Sequence, residues 1–451
     1  MLTDVITALS TPPGRSAIAL IRVSGRGAHE VVASVLPSFT VDPLRTARLS
    51  PVVDPRSGER LDEALYIVYR GPASYTGEDM VEVSTHGGML VPAEVVAALL
   101  AAGSRLATPG EFTRRALANG KMDLLQAEAV GDLTAATAPA QRRAALRQLG
   151  RGLSSLIGGL REKVLELEAL CCYDIDFPEE DAGPVPAGRI DAAVFDLKRS
   201  ISRVLETAAE GERLQEGAVC VIAGRPNAGK SSLFNALLGH DRAIVTEVPG
   251  TTRDAIEAHV TCDGFPFRLI DTAGLRESDD RVERAGIEVS HRYLSAADVI
   301  LLCVEQGGEL SAEERAFLGN AVAPVVVVRT KVDVLGDEGV GQVQWRDMIR
   351  VSAHEGTGLA ELRKSLAAIV FSSLSPGGDI EPLITRERHR LALEQAHGEI
   401  CAFADARAAG LDGVVATTHL RAAVTALDDV IGVVTAEDVL ARVFATFCVG
   451  K

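Results

Sequence analysis

The stretch from Ala218 to Ser232 constrains this chain more than any other. Ala218-Val219-Cys220-Val221-Ile222-Ala223 is a short apolar run, Gly224-x-x-x-x-Gly229-Lys230-Ser231 follows directly, and Leu233-Phe234-Asn235-Ala236-Leu237-Leu238 continues it. Strand, glycine loop and helix in that order form a phosphate loop, because glycines let successive backbone N–H groups turn toward a polyphosphate. Lys230 adds a point charge, the Ser231 hydroxyl suits Mg²⁺, and the helix N-terminus contributes positive potential. Asn227, Ala228, Gly229, Lys230, Ser231 and Ser232 are therefore candidate nucleotide contacts.

Three downstream segments select the nucleotide. Leu269-Ile270-Asp271-Thr272-Ala273-Gly274 reads as a strand ending in Asp-x-x-Gly: Asp271 can hold the metal through water, and the Gly274 N–H can meet the terminal phosphate. Val325 to Arg329 reads as a buried strand leading into Thr330-Lys331-Val332-Asp333. A carboxylate at Asp333 accepts the N1–H and N2–H₂ donors of guanine, a pair that adenine lacks on that edge. Ile349-Arg350-Val351 then leads into Ser352-Ala353, which supports the base from its other side. The order favours GTP over ATP. Asn usually opens the third segment; Thr330 stands there instead, which predicts weaker bracing of the loop but leaves Asp333 in place.

At 451 residues with 47% hydrophobic content, the chain calls for two or three domains. A formal charge of −16 excludes a free-standing nucleic-acid binder, so an RNA partner would need a local patch or a second protein to supply cations. The seven cysteines, with Cys171 beside Cys172 and no Cys-x-x-Cys, fit neither a disulfide framework nor a zinc site; Cys220 and Cys303 lie in apolar strands and read as core. Met1-Leu2-Thr3-Asp4 brings no basic run ahead of an apolar segment, and no stretch nears the roughly 20 apolar residues of a membrane span. A cytoplasmic chain without a membrane partner is expected.

Ahead of the phosphate loop, Ala17 to Val23, Ala64 to Tyr69 and Met80 to Gly88 read as strands, the last with Glu82 and Ser84 on one face and Val81 and Val83 on the other. Arg22 and Glu82 are polar groups in otherwise apolar strands, and by themselves they read as a solvated face or an internal ion pair. Thr108-Pro109-Gly110-Glu111 predicts a helix start with Pro at its first position, and a second helix is expected from Asp123 to about Ala136, leaving Lys121 at the junction. Leu146, Leu149, Leu153, Leu156, Leu160, Val164 and Leu167 form a narrow helical seam, weakened by Gly150, Gly152, Gly158 and Gly159. Further helices are expected from Arg189 to Leu214, from Thr385 to Gly410 and from Thr435 onward. The economical arrangement packs these flanking helices together, with residues 216–374 inserted between them.

The sequence resembles the MnmE/TrmE family of tRNA modification GTPases over essentially its full length. The likeness rests on Thr11-Pro12-Pro13-Gly14-Arg15, Tyr75-Thr76-Gly77-Glu78-Asp79, His86-Gly87-Gly88, Pro109-Gly110-Glu111-Phe112-Thr113-Arg114-Arg115-Ala116, the nucleotide segments and Phe447-Cys448-Val449-Gly450-Lys451. Val449 replaces the usual Ile. The resemblance implies α/β plus α architecture: an α+β folate-binding and dimerisation domain (1–119), a helical domain in two parts (120–215 and 375–451), and a Ras-like P-loop domain (216–374). It implies a homodimer that joins the FAD-dependent MnmG/GidA in a heterotetramer and adds a carboxymethylaminomethyl or aminomethyl-type group at carbon 5 of the wobble uridine of tRNA. A tetrahydrofolate derivative, 5-formyl or methylene, supplies the carbon, with contacts falling on Arg22, Glu82, Lys121 and Lys451.

The resemblance also implies how hydrolysis proceeds. Leu275 stands where Ras-like enzymes place a water-orienting Gln. Glu283 resembles the family's remote catalytic carboxylate, although alone it reads as an exposed helical Glu. A K⁺ ion is implied at Asn227, Thr246, Val248 and Thr251, within a nucleotide-contacting segment Thr246-Glu247-Val248-Pro249-Gly250-Thr251-Thr252, and Mg²⁺ at Ser231 and Thr252. The division of the two ions between Thr251 and Thr252 stays open. Arg253 is expected to order this segment rather than to act as a finger. Cys448 reads either as a thiol near the modification chemistry or as a small apolar residue closing the last helix. The alternative reading is a regulatory GTPase switch in ribosome assembly, which predicts neither a folate-like N-terminal third nor Cys448 to Lys451.

Overall fold

Val81 and Val83 are buried on one face of the strand Met80–Gly88, while Glu82 and Ser84 remain partly accessible on the other, as their alternation predicts. The computed structural model describes residues 4–176, 187–239, 256–271, 293–307, 310–335, 348–374, 383–432, 437–445 and 447–450. Within them the chain forms two compact units, Met1–Gly131 with Leu427–Lys451, and Asp132–Ala426.

The first unit is built on a mixed six-stranded sheet of order β3-β4-β5-β2-β1-β6. Its strands are β1 (Ile6–Leu9), β2 (Gly14–Ser24), β3 (Arg48–Val53), β4 (Arg60–Tyr69), β5 (Met80–Gly88) and β6 (Arg105–Leu106). Helices Ala28–Ala33 and Val91–Ala101 close one face over Ile21, Val23, Tyr66, Val68, Val81 and Val83. On the opposite face the register sets Arg22 beside Glu82 and Glu82 beside Ile67, and Leu49 and Leu65, themselves paired, are exposed.

Helix Glu111–Ala118 starts two residues after Pro109, so the proline precedes the first turn rather than opening it. Gly110 takes φ 68° ahead of the helix, and an added Cβ there would lie 2.9 Å from the Phe444 ring. The Glu111 carboxylate still accepts from the Thr108 N–H at 2.9 Å, half of a capping-box exchange. Asp123 and Gln126 cap helix Leu124–Ala135 reciprocally. The C-terminal helix Glu437–Ala445 buries Phe444, with Phe447, against Ala127.

In the second unit the expected leucine seam is two helices, Pro139–Leu149 and Gly152–Asp176. Gly150 and Arg151, the latter at φ 66°, break the chain between them. The buried stripe is Leu153, Ile157, Leu160, Val164, Leu167 and Cys171, whereas Leu146 and Leu156 are exposed. The helix expected from Arg189 to Leu214 is likewise two, Ala187–Glu206 and Ala208–Glu216. Glu387–Ala408 falls inside the span expected for it, and Gly413–Ile431 adds a helix within the second part of the expected helical domain. Helices from both sides of the nucleotide-binding segment meet: the Ser202 hydroxyl is 3.3 Å from His397 Nε2, and Arg421 pairs with Glu168 at 2.7 Å.

Between them in sequence lies a second six-stranded sheet of order β12-β11-β10-β7-β9-β8. Its strands are β7 (Ala218–Gly224), β8 (Ile256–Cys262), β9 (Phe265–Asp271), β10 (Val299–Glu305), β11 (Val325–Thr330) and β12 (Met348–Arg350). All neighbours are parallel except β8 against β9. Helices Lys230–Gly239, Ala312–Asn320, Val332–Leu335 and Leu359–Val370 accompany the strands. Cys220 and Cys303 are core residues, and burial pushes both thiols up, Cys303 to about 12.

Candidate functional site

β7 lies between β10 and β9, so the loop leaving its carboxyl end opens at the point where strand order reverses, where open α/β sheets bind ligands. Gly224 has φ 138°, and a Cβ there would stand 2.5 Å from the Cys303 carbonyl oxygen; only glycine lets the loop leave the strand this close to β10. Asn227 takes φ 60°, a left-handed conformation that Asn tolerates. Lys230 is buried, and its ammonium donates to the Arg225 carbonyl at 2.8 Å, curling the cation back over the loop. Ser231 donates to Asp271 Oδ2 at 2.9 Å. The hydroxyl and carboxylate expected around Mg²⁺ thus converge from helix Lys230–Gly239 and β9, and both are the hard oxygen donors that such an ion takes.

At the base end, the Asp333 carboxylate accepts from the Ser352 hydroxyl, and this bond together with nearby His354 holds Asp333 below the usual carboxylate range. Lys331, at φ 58°, pairs with Glu305 at 2.8 Å, and Ala353 follows the fully buried Ser352. Thr330 keeps a brace to the phosphate loop. Its buried hydroxyl donates to the Ala228 carbonyl at 2.7 Å, so the third segment is fastened directly to the phosphate loop. Ser232, beside Ser231, is exposed. Thr246, Glu247, Val248, Pro249, Gly250, Thr251, Thr252, Arg253, Thr272, Ala273, Gly274, Leu275, Glu283 and Lys451 lie outside the described residues.

A cavity of about 400 Å³ opens in the first unit, lined by Arg45, Tyr69, Ser74, Tyr75, Glu82 and Lys121 among others. Arg22 Nε donates to Glu82 Oε1 at 2.9 Å, and the Tyr69 hydroxyl donates to Glu82 Oε2 at 3.1 Å. The Arg22 guanidinium stands 5.5 Å from the centroid of the Tyr75 ring and donates to the Gly450 carbonyl at 3.3 Å. Lys121 donates to the Pro72 carbonyl at 2.8 Å. The internal ion pair that the isolated residues suggest is therefore present, and Glu82 presents it to the cavity. Burial raises the Tyr69 and Tyr75 phenols, with Glu82 adding to the first, so both stay protonated donors near neutrality.

The loop carrying Tyr75 is fixed from behind. Asn119 donates to the Thr76 carbonyl at 2.8 Å, Ser24 bonds Thr76 and Glu78 at 2.7 and 3.0 Å, and Tyr75 meets Thr113 at 2.8 Å. Arg115, fully buried, pairs with Glu78, Glu111 and Asp4 at 3.2, 3.0 and 2.9 Å. Burial pushes Glu111 up, but hydrogen bonds from Arg105, Thr108 and Arg115 outweigh it and hold the carboxyl at about 2. The sequence alone does not single out Tyr69, Arg45 or Ser74, and Tyr75 stands in a motif that gives it no role. A tyrosine closing an apolar strand carries no signal of its own.

Cys448 is exposed, and its carbonyl accepts from the Gly110 N–H at 3.4 Å. His86 is exposed and bonded to Asp62 at 2.7 Å. Among the described residues no three His, Cys, Asp or Glu side chains group as metal ligands, and no helix is long and apolar enough to cross a membrane.

Residues 124–448 match the family model of the MnmE helical domain, and residues 5–121 match that of the GTP-binding protein TrmE N-terminus. The chain is 41% identical to the tRNA modification GTPase MnmE of Moorella thermoacetica over 468 residues and 39% identical to that of Aquifex aeolicus over 452, with 100% of each chain covered in both cases. Among solved structures, the G domain of the T. maritima FeoB iron transporter is 25% identical, covering 34% of this chain and 98% of its own, with a TM-score of 0.26.

Proposed function

Because the chain belongs to the MnmE family of tRNA modification GTPases, we propose that it hydrolyses GTP and, with MnmG/GidA, adds a carboxymethylaminomethyl or aminomethyl-type group at carbon 5 of the wobble uridine of certain tRNAs. The observation that carries the GTPase reading is the convergence of Ser231 and Asp271 at the phosphate loop, with Asp333 presented by Ser352 at the base end. Ser231 and Thr252, with Asp271 through water, would hold an Mg²⁺ ion that would neutralise charge on the phosphates. Asn227, Thr246, Val248 and Thr251 would hold a K⁺ ion that would supply the positive charge otherwise given by an arginine finger. Since Leu275 has no group to orient water, that task falls to Glu283.

The cavity suits a tetrahydrofolate derivative, 5-formyl or methylene. The Glu82 carboxylate, held by Arg22, can accept from an amide-rich pterin, Tyr69 and Tyr75 offer flat faces, and Lys121 and Lys451 suit a glutamate tail. The exposed Leu49 and Leu65 on the open sheet face support a homodimer, which would join MnmG/GidA in a heterotetramer. With a net charge of −16 on this chain, the tRNA contact draws cations from that partner, in the cytoplasm. The experiment is a calorimetric titration of the full chain with 5-formyltetrahydrofolate. Stoichiometric binding is expected; no binding would favour the ribosome-assembly switch, which the N-terminal family match and the cavity already disfavour.

A further inference from the structure

Thr330 occupies the position where an Asn would ordinarily stand, and it has one hydroxyl proton to give. That proton goes to a protein carbonyl: Ala228 O is at 2.7 Å and Val304 O at 3.4 Å, and the side chain is buried among them. The neighbouring surface leaves little slack, since a Cβ on Gly229 would come within 3.2 Å of Thr330 Cβ. An Asn amide carries two protons, so one can fasten the loop while the other remains for a ligand. Resting on the guanine reading of Asp333, the geometry defines which edge of the base is left without a donor. With N1–H and N2–H₂ on Asp333, the imidazole ring would face back toward the ribose, the phosphate loop and Thr330. N7, the acceptor on that ring, would be the partner of a donor at position 330.

We propose that Thr330 is a specificity-determining residue that narrows base recognition to the N1 and N2 edge, leaving N7 unread from this position. The hydroxyl is spent on bracing the loop, and the nucleotide pocket tolerates a purine in which N7 is replaced by carbon.

The test is equilibrium binding of GTP, 7-deaza-GTP and inosine triphosphate to the full-length protein and to Thr330→Asn. The wild type should bind GTP and 7-deaza-GTP within about twofold, and Thr330→Asn should prefer GTP by about fivefold, the factor carried by one neutral hydrogen bond. A wild type that binds 7-deaza-GTP ten times more weakly than GTP would overturn the proposal, as would a Thr330→Asn protein with no such preference. Inosine triphosphate lacks the 2-amino donor and separates this inference from its premise. Weak inosine binding beside equal GTP and 7-deaza-GTP supports both, whereas equal binding of all three defeats the Asp333 reading and this inference with it. A merely structural role for Thr330 would weaken all three nucleotides alike in Thr330→Asn, an outcome that also counts against the proposal.

Discussion

The phosphate loop and the N-terminal cavity are built by opposite means. In the loop, side chains and backbone from a few contiguous residues converge, so Lys230, Ser231 and the glycines do their work within one short stretch of chain, while Asp271 and Thr330 arrive at the carboxyl ends of β9 and β11 and Asp333 follows β11 in a short helix. In the cavity, Tyr69, Tyr75, Glu82 and Lys121, with Arg22 paired to Glu82 behind the lining, come from separate stretches and meet only through sheet register and a buried ionic frame. The lesson is that a site made of backbone geometry announces itself in spacing, whereas a site made of cross-strand neighbours does not.

Substitutions can break that contrast, beginning with the largest effect. Lys230→Ala should lower GTP turnover by roughly 10²- to 10³-fold, on the scale of losing one preorganised donor to developing phosphate charge. The same variant should leave 5-formyltetrahydrofolate affinity unchanged, and calorimetry beside a phosphate-release assay reads both. Arg22→Ala should do the reverse, weakening the folate derivative by roughly tenfold to a hundredfold through loss of a charge-assisted contact, with GTP turnover retained. Glu111→Gln tests the frame behind the cavity. It leaves the buried Arg115 short of one anionic partner and should cost about 3 kcal/mol in denaturant unfolding. Cys448→Ser should move GTP turnover by less than about twofold, because an exposed neutral residue swapped for a near-isostere perturbs little.

The frame also has a pH signature. Glu111 is held at about 2 against an ordinary 4.5, so its folded-state preference is for the ionised form. Its contribution is full above pH 4.5 and fades as the pH falls from there toward 2, and Glu111→Gln should flatten the stability curve across that window. Asp4, also at about 2 through Arg105, acts in the same direction.

Legibility follows the same division. Gly224, Gly229, Lys230, Ser231 and Asp333 could be named from the sequence because each serves a fixed chemical demand at a fixed spacing. Thr330 was legible as a departure but not as a brace, since its bond to Ala228 spans 102 residues of sequence. The leucine seam runs across two helices, because periodicity does not register the break at Gly150 and Arg151. Arg22 and Glu82 showed only as polar residues in apolar strands, and their pairing needed the register of β2 on β5.

The most direct measurement is mass analysis of wobble uridines in cells lacking this protein, complemented in turn by the wild-type chain, Lys230→Ala and Arg22→Ala. The wild type should restore the carbon-5 modification and neither variant should, since the account requires both the nucleotide loop and the cavity. Full restoration by Arg22→Ala, or intact modification in the uncomplemented cells, would contradict it.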